Sequence, residues 1–201
     1  GYAENIRDAS TTLLSLVNDL LDFSKIECGK MEILPVEYEI ANVLSEIMNM
    51  IEIKVANKGL DFTPVIAEDI PYLLYGDDVR LRQIIINLLT NAVKYTKEGS
   101  VTLKVDWREA GDSSINLIVS VTDTGIGIKQ EDIDKLFVSF ERIEERRNRN
   151  IEGTGLGLSI TKQLLDLMGS DLTVRSDYGV GSTFSFVLKQ GIRDRKPIGK
   201  F

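Results

Sequence analysis

Over its 201 residues this chain repeatedly switches the spacing of its apolar residues between helical and strand periods, and that alternation limits the possible folds more than any other feature. Residues 3–28 come first: Ile6, Leu13, Leu16, Val17, Leu20, Phe23 and Ile26 recur at three- and four-residue steps, with no Gly or Pro between them. Gly29 stands where a helix stop belongs. Ile6, Leu13 and Leu20, like Leu16 and Phe23, are seven apart, which fits a bundle or coiled-coil seam, with an ordinary core helix as the plainer alternative. Residues 30–40, with Pro35, read as an extended linker. A second helix spans 41–58 and stops near Gly59, and short strands are expected at 60–66 and 72–75. A third helix covers about 78–96. Strands at 101–107 and 115–123 are joined by a hairpin-type loop, and a Gly-bounded segment, 125–157, holds a short helical stretch near 131–140. A fourth helix, 158–168, ends at Gly169, and strands at 172–176 and 182–188 flank a Gly-rich turn. The polar, basic residues 190–201 read as a linker. Helices first, then mostly antiparallel strands with helices between them, predict an α+β fold: a two-layer α/β sandwich behind one long N-terminal helix.

Counts remove several chemistries. The chain has no histidine, which excludes His-ligated metals, Ser-His-Asp triads and histidine acid–base catalysis within it. A single cysteine, Cys28, excludes a disulfide framework and a cysteine zinc site. A net charge of -7 argues against general nucleic-acid binding, though not against a local phosphate site. No stretch approaches the roughly 18 apolar residues of a membrane span and no signal peptide opens the chain, so a cytoplasmic setting is expected. The start at Gly1 rather than Met reads as the edge of an excised fragment.

Three features point to a nucleotide. Glycines cluster in Asp123-Thr-Gly125-Ile-Gly127, in Gly153-Thr154-Gly155-Leu156-Gly157 and in Gly179-Val-Gly181-Ser-Thr183, and the second cluster opens a helix directly, where exposed N–H groups bind phosphate. Neither a Rossmann unit nor a P-loop surrounds them. On the third helix Gln83, Asn87, Asn91 and Lys94 share one face, opposite a core stripe of Leu81, Ile84, Leu88, Ala92 and Tyr95. Asn is a poor helix-interior residue. Two of them one turn apart suit a hard cation such as Mg²⁺ bridging phosphates, with a solvated helix face as the alternative. Asp123 ends the apolar face of Leu117, Val119 and Val121, where a buried carboxylate needs a donor such as an adenine amine, or else caps a turn.

Together these features resemble the catalytic domain of sensor histidine kinases, within the ATP-binding group shared with gyrase, MutL and the large heat-shock chaperone. Residues 78–96 look like the family's N box, 123–127 like its first Gly box, Leu136-Phe137-Val-Ser-Phe140-Glu-Arg142 like its Phe box, and the clusters at 153–157 and 181–184 like its second and third Gly boxes. Residues 3–28 are similar to the second helix of the family's dimerisation domain. The resemblance implies a Bergerat-type ATP-binding fold with ATP and Mg²⁺ as ligands. It implies that Asn91 and Asn87 hold Mg²⁺, that Lys94 and Arg142 approach phosphate, and that Tyr95 lines the adenine side. Asp123 would read the adenine amine with Thr183 nearby, Gly125 and Gly127 would pass close to the base, and Gly153, Thr154, Gly155, Leu156 and Gly157 would frame the phosphates. Residues 128–153 would form an ATP lid. The implied organisation is a dimerisation helix at 1–29, a linker at 30–40, a catalytic domain at 41–190 and a linker at 191–201. The implied partners are a response-regulator receiver domain and a second copy joined through the N-terminal helix, in a parent whose membrane anchoring is left open.

Three differences bear on function. The family's phosphoacceptor histidine lies on a first dimerisation helix, and this chain has neither that helix nor any His. The ATPase relatives carry Glu, the base for water, where Asn87 stands, which disfavours hydrolysis. Ser139 occupies a position often basic in the family. A module of the same fold that binds ATP without transferring it stays open as the rival reading.

Overall fold

A computed structural model describes residues 2–138 and 155–201. In chain order the elements are α1 (Tyr2–Glu27), β1 (Val36–Glu39), α2 (Ile40–Lys58), β2 (Asp61–Ile66), β3 (Pro71–Gly76), α3 (Asp78–Tyr95), β4 (Ser100–Glu109) and β5 (Ser114–Asp123). Two 3₁₀ turns at Gln130–Asp132 and Asp134–Phe137 follow, then α4 (Gly157–Leu167), β6 (Leu172–Asp177) and β7 (Gly181–Pro197). The α+β sandwich expected from the sequence is the fold observed.

One sheet runs in the order β1-β3-β7-β5-β4-β2, with β6 paired to the first part of β7. All pairs are antiparallel except β2 with β4. Alternation assigns the faces. In β5, Ile115, Leu117, Val119, Val121 and Asp123 are buried while the residues between them are half-exposed. The buried face meets α2, α3 and α4 in a single core that includes Ile47, Ile51, Leu81, Leu88, Leu164 and Phe186. Each such fully buried apolar side chain contributes about 1.5–3 kcal/mol. Asp77 starts α3 by accepting the Arg80 N–H at 3.0 Å, and its other oxygen accepts the Leu34 N–H at 2.9 Å, tying the incoming linker to that helix.

Two segments differ from expectation. The 191–201 tail is not a free linker: β7 continues to Pro197 and pairs with β3, Gly191 opposite Tyr75 and Pro197 opposite Pro71. Its charges are held by neighbouring strands. Arg193 meets Glu37 at 3.1 Å and lies over the Tyr75 ring at 4.2 Å, and Arg195 meets Glu109 at 2.6 Å. Likewise the 30–40 linker contains β1, which pairs with β3.

The apolar stripe of α1 is largely uncovered. Leu13 is 62% and Leu20 53% exposed, and Leu16 and Val17 are exposed too. Among the described side chains of α1, Phe23 and Ile26, in the last turns, are the ones that pack on the core. There Asp22 accepts from Gln83 at 2.7 Å, so the first residue of the α3 polar stripe serves the contact with α1.

Candidate functional site

The polar face of α3 is not a solvated face, because it meets the start of α4. Asn87 Nδ2 donates to the Gly157 carbonyl and to Thr161 Oγ1, each at 3.4 Å. A Cβ built on Gly157 would lie 3.9 Å from Asn87 Cγ and 4.0 Å from Asn91 Nδ2, so both amides converge on the last glycine of the second cluster. Buried Leu156 anchors that turn in the core. The N-cap residue Leu156 makes no side-chain cap of its own, and the first turn of α4, with the positive end of its dipole, begins at Gly157 beside the two amides. A hard divalent cation fits this donor set: two neutral amide oxygens leave room for phosphate and water oxygens. Among the described residues, no group of three or more His, Cys, Asp and Glu could hold a metal by itself.

The second half of the site is built at the C-terminal end of α3. The Tyr95 carbonyl accepts the Ile126 N–H at 3.3 Å, which seats the first glycine cluster on the helix end. A Cβ on Gly125 would lie 2.5 Å from that carbonyl and 2.7 Å from Asp123 Oδ1, so no side chain fits there. Lys94 places its ammonium 4.9 Å from the Tyr95 ring centre. The third cluster closes over the first: Gly179 N donates to the Ile126 carbonyl and Ile128 N to Ser176 Oγ, both at 2.8 Å. Gly127 has φ +65°, and a Cβ there would run into the Asp177 carbonyl. One on Gly181 would run into the carbonyl of Asp123.

Asp123 is buried at the end of β5, and burial raises its carboxyl above the ordinary aspartate value, while the backbone N–H groups of Gly125 and Ser182 oppose the shift. Gly125 N donates to Asp123 Oδ1 at 2.8 Å. Thr183 is not beside it. In the β5–β7 register Ser182 faces Asp123 and Thr183 faces Thr122, whose hydroxyl lies 3.0 Å from its own on the other face of the sheet. The residue that sequence reasoning missed is therefore Ser182, buried, with its hydroxyl 2.9 Å from that of Ser176. Its signal was parity: Ser182 shares the inward face with Phe184, Phe186 and Leu188. Gly155, with φ +72°, is described at the foot of the second cluster, whereas Gly153, Thr154, Phe140 and Arg142 lie outside the described residues. Phe137 and Leu136 pack against the core edge, ahead of that segment.

A model of the family described as histidine kinase-, DNA gyrase B-, and HSP90-like ATPase matches residues 76–192, which run from the last residue of β3 through α3 into β7 and hold both halves of this site. The chain belongs to this family. Similar to this ATPase-family domain are hybrid signal transduction histidine kinase B of Dictyostelium discoideum, 43% identical over 188 residues, and signal transduction histidine-protein kinase BarA of Escherichia coli strain K12, 37% identical over 185. The matches take in 93% and 92% of this chain but 10% and 20% of those proteins, so the chain spans a tenth to a fifth of the relatives' length. Among solved structures, full-length ShkA in complex with AMPPNP superimposes with a TM-score of 0.80 at 28% identity, over 96% of this chain and 39% of that one. The catalytic domain of histidine kinase ThkA matches with a TM-score of 0.61 at 26% identity, over 79% of this chain and 98% of that one. No helix among the described residues is long and apolar enough to cross a membrane.

Proposed function

We propose that this domain is the ATP-binding catalytic part of a two-component sensor histidine kinase, which passes the ATP γ-phosphoryl group to a histidine outside this chain. The observation that carries the reading is the convergence of Asn87 and Asn91 on Gly157, at the start of α4, with buried Asp123 at the other end of the same helix–loop assembly. Asp123 accepts the adenine amine, and Ser182 stands beside it. Tyr95 lines the base, and Lys94 and the α4 N-terminus receive phosphate charge. Asn91, helped by Asn87, holds Mg²⁺, which when bound neutralises phosphate charge. An imidazole nitrogen of the acceptor attacks the γ-phosphorus, the bond to the β,γ-bridging oxygen breaks, and ADP leaves. The domain contributes positioning and charge neutralisation, which dominate phosphoryl transfer. Asn87 is an amide and cannot take a proton from water, which favours transfer over hydrolysis.

Within this reading α1 is the second helix of a dimerisation domain and pairs with a second copy, the acceptor histidine hands its phosphoryl group to a response-regulator receiver domain, and the domain works in the cytoplasm. The test is calorimetry with ATP and Mg²⁺, followed by mixing with a supplied acceptor helix that carries a histidine. Saturable binding and an acid-labile, alkali-stable phosphoprotein on the acceptor are expected. Binding without transfer would favour a nucleotide-gated module, and no binding by folded protein would overturn the reading.

A further inference from the structure

The last four carbonyls of a helix have no partner within it, and in α3 those four belong to Ala92, Val93, Lys94 and Tyr95, at the end that carries half of the site. Each has a partner from outside the helical ladder or at its edge. Thr96 serves Ala92 through its N–H at 3.1 Å and its hydroxyl at 2.7 Å. The first glycine cluster serves Tyr95 through Ile126 N. The two carbonyls between them are both taken by one side chain from another helix: Lys58 Nζ donates to Val93 O at 2.6 Å and to Lys94 O at 2.8 Å. The sheet explains how it gets there. β2 and β4 are the parallel pair, with Asp61 opposite Ser100, so the helices that lead into them end side by side. Lys58 is the last residue of α2, and Gly59 turns the chain away with φ +67°, leaving the ammonium over the negative end of α3.

We propose that Lys58 is a positioning residue for the nucleotide site: by holding the Val93 and Lys94 carbonyls it fixes the last turn of α3, and so the seat of Tyr95 and the Gly125–Gly127 loop. The inference rests on the nucleotide reading given above. Without the ammonium, two adjacent carbonyls at the negative pole lose their partner and the last turn frays. The Tyr95 carbonyl then no longer holds the Ile126 N–H, and the loop that passes the adenine loosens. The amides of Asn87 and Asn91, one to two turns earlier, stay in place.

The test compares wild type, Lys58→Met and Lys58→Arg. In Lys58→Met, amide exchange at Ile126 should quicken in the nucleotide-free protein. ADP without Mg²⁺ and ATP with Mg²⁺ should weaken by the same factor, about three- to tenfold, the range expected for a partly desolvated cation at a helix end. The gain in ATP affinity from Mg²⁺ should be unchanged, and Lys58→Arg should restore both readouts. Wild-type exchange and affinity in Lys58→Met would overturn the inference. So would a selective loss of the Mg²⁺ gain, or a lowered melting temperature with Ile126 protection and affinity intact. Wild type that binds neither nucleotide would instead overturn the nucleotide reading, while the exchange comparison would still judge whether Lys58 holds the loop.

Discussion

Asp123 Oδ1 accepts the Gly125 N–H at 2.8 Å, so the one carboxylate on the buried face of β5 is held by the loop that follows it rather than by a cation. Burial still prevails and raises its pKa. A carboxyl whose folded pKa exceeds its unfolded value binds more protons in the folded state, so it favours folding at low pH, and that advantage is lost as pH rises through the window between the two values. Relative to Asp123→Asn, which does not titrate, the ligand-free wild type should gain stability on acidification from neutral pH into that window. Paired urea titrations across the range check this. A constant difference between the two proteins would mean that the carboxyl is not perturbed.

On the nucleotide reading proposed above, the same group sets nucleotide choice. Asp123→Asn exchanges a pure acceptor for a side chain that also donates, so it should cut the preference for ATP over GTP by about tenfold or more, the range lost when a buried hydrogen bond turns unfavourable. In wild type, ATP affinity should fall on acidification at a higher pH than an ordinary aspartate would give. Competition binding with both nucleotides reads each effect, and unchanged selectivity in Asp123→Asn would exclude this carboxylate as the reader of the base.

How much of this was visible beforehand depends on where the partner of each residue lies. The face of Asn87 and Asn91 was legible because asparagines one turn apart violate helix propensity, and a local violation of this kind marks a functional site. Asp123 was legible by parity along its own strand. The tail was not. Residues 191–197 are mostly glycine and charge, and what makes them a strand is pairing with β3 and ion pairs to Glu37 and Glu109, far away in sequence. The four-residue β1 gave no period long enough to read. The resemblance puts Thr183 near Asp123 because it orders residues along the chain, whereas the register decides which of two neighbours points at Asp123, and that is Ser182. Gln83 lay on the right stripe, and only the arrival of α1 shows that Asp22 takes it.

Asn91→Ala should leave the fold intact and remove the gain in ATP affinity that Mg²⁺ brings, since Mg²⁺ takes few protein oxygens and has little to replace one with. Asn91 is half-buried and faces Gly157 across ordinary contact distance, so no core packing is lost. Calorimetry with and without Mg²⁺ on both proteins measures the effect, and an equal Mg²⁺ response would place the cation elsewhere.

Gly127→Ala should be costly before any ligand is considered. The residue has φ +65°, and the added methyl would meet the backbone carbonyl of Asp177, which cannot rotate away. Strain of this kind costs about 1–3 kcal/mol. Gly179→Ala is the informative control, because it too has positive φ but opens onto free space, so the difference between the two isolates the collision. Urea midpoints should rank wild type, Gly179→Ala and Gly127→Ala in falling order. Equal losses in the two variants would mean that the first and third glycine clusters are not packed together as described.

The exposed stripe of α1 leads to the last prediction. Leu13, Leu16, Val17 and Leu20 stand in solvent, while Phe23 and Ile26 dock the helix end on the domain, and an exposed apolar stripe of this size marks an association surface. A second copy of α1 offers the same heptad-spaced face, and two such faces bury each other. The chain should therefore show a concentration-dependent monomer–dimer equilibrium in sedimentation. Leu16→Glu combined with Leu20→Glu should abolish it, since two buried carboxylates per helix would face each other across the seam. The pair should leave nucleotide binding unchanged, because neither leucine touches the domain's core. A wild type that stays monomeric at every concentration would show that the stripe does not pair with a second copy. A double variant that still dimerises would move the contact to another surface.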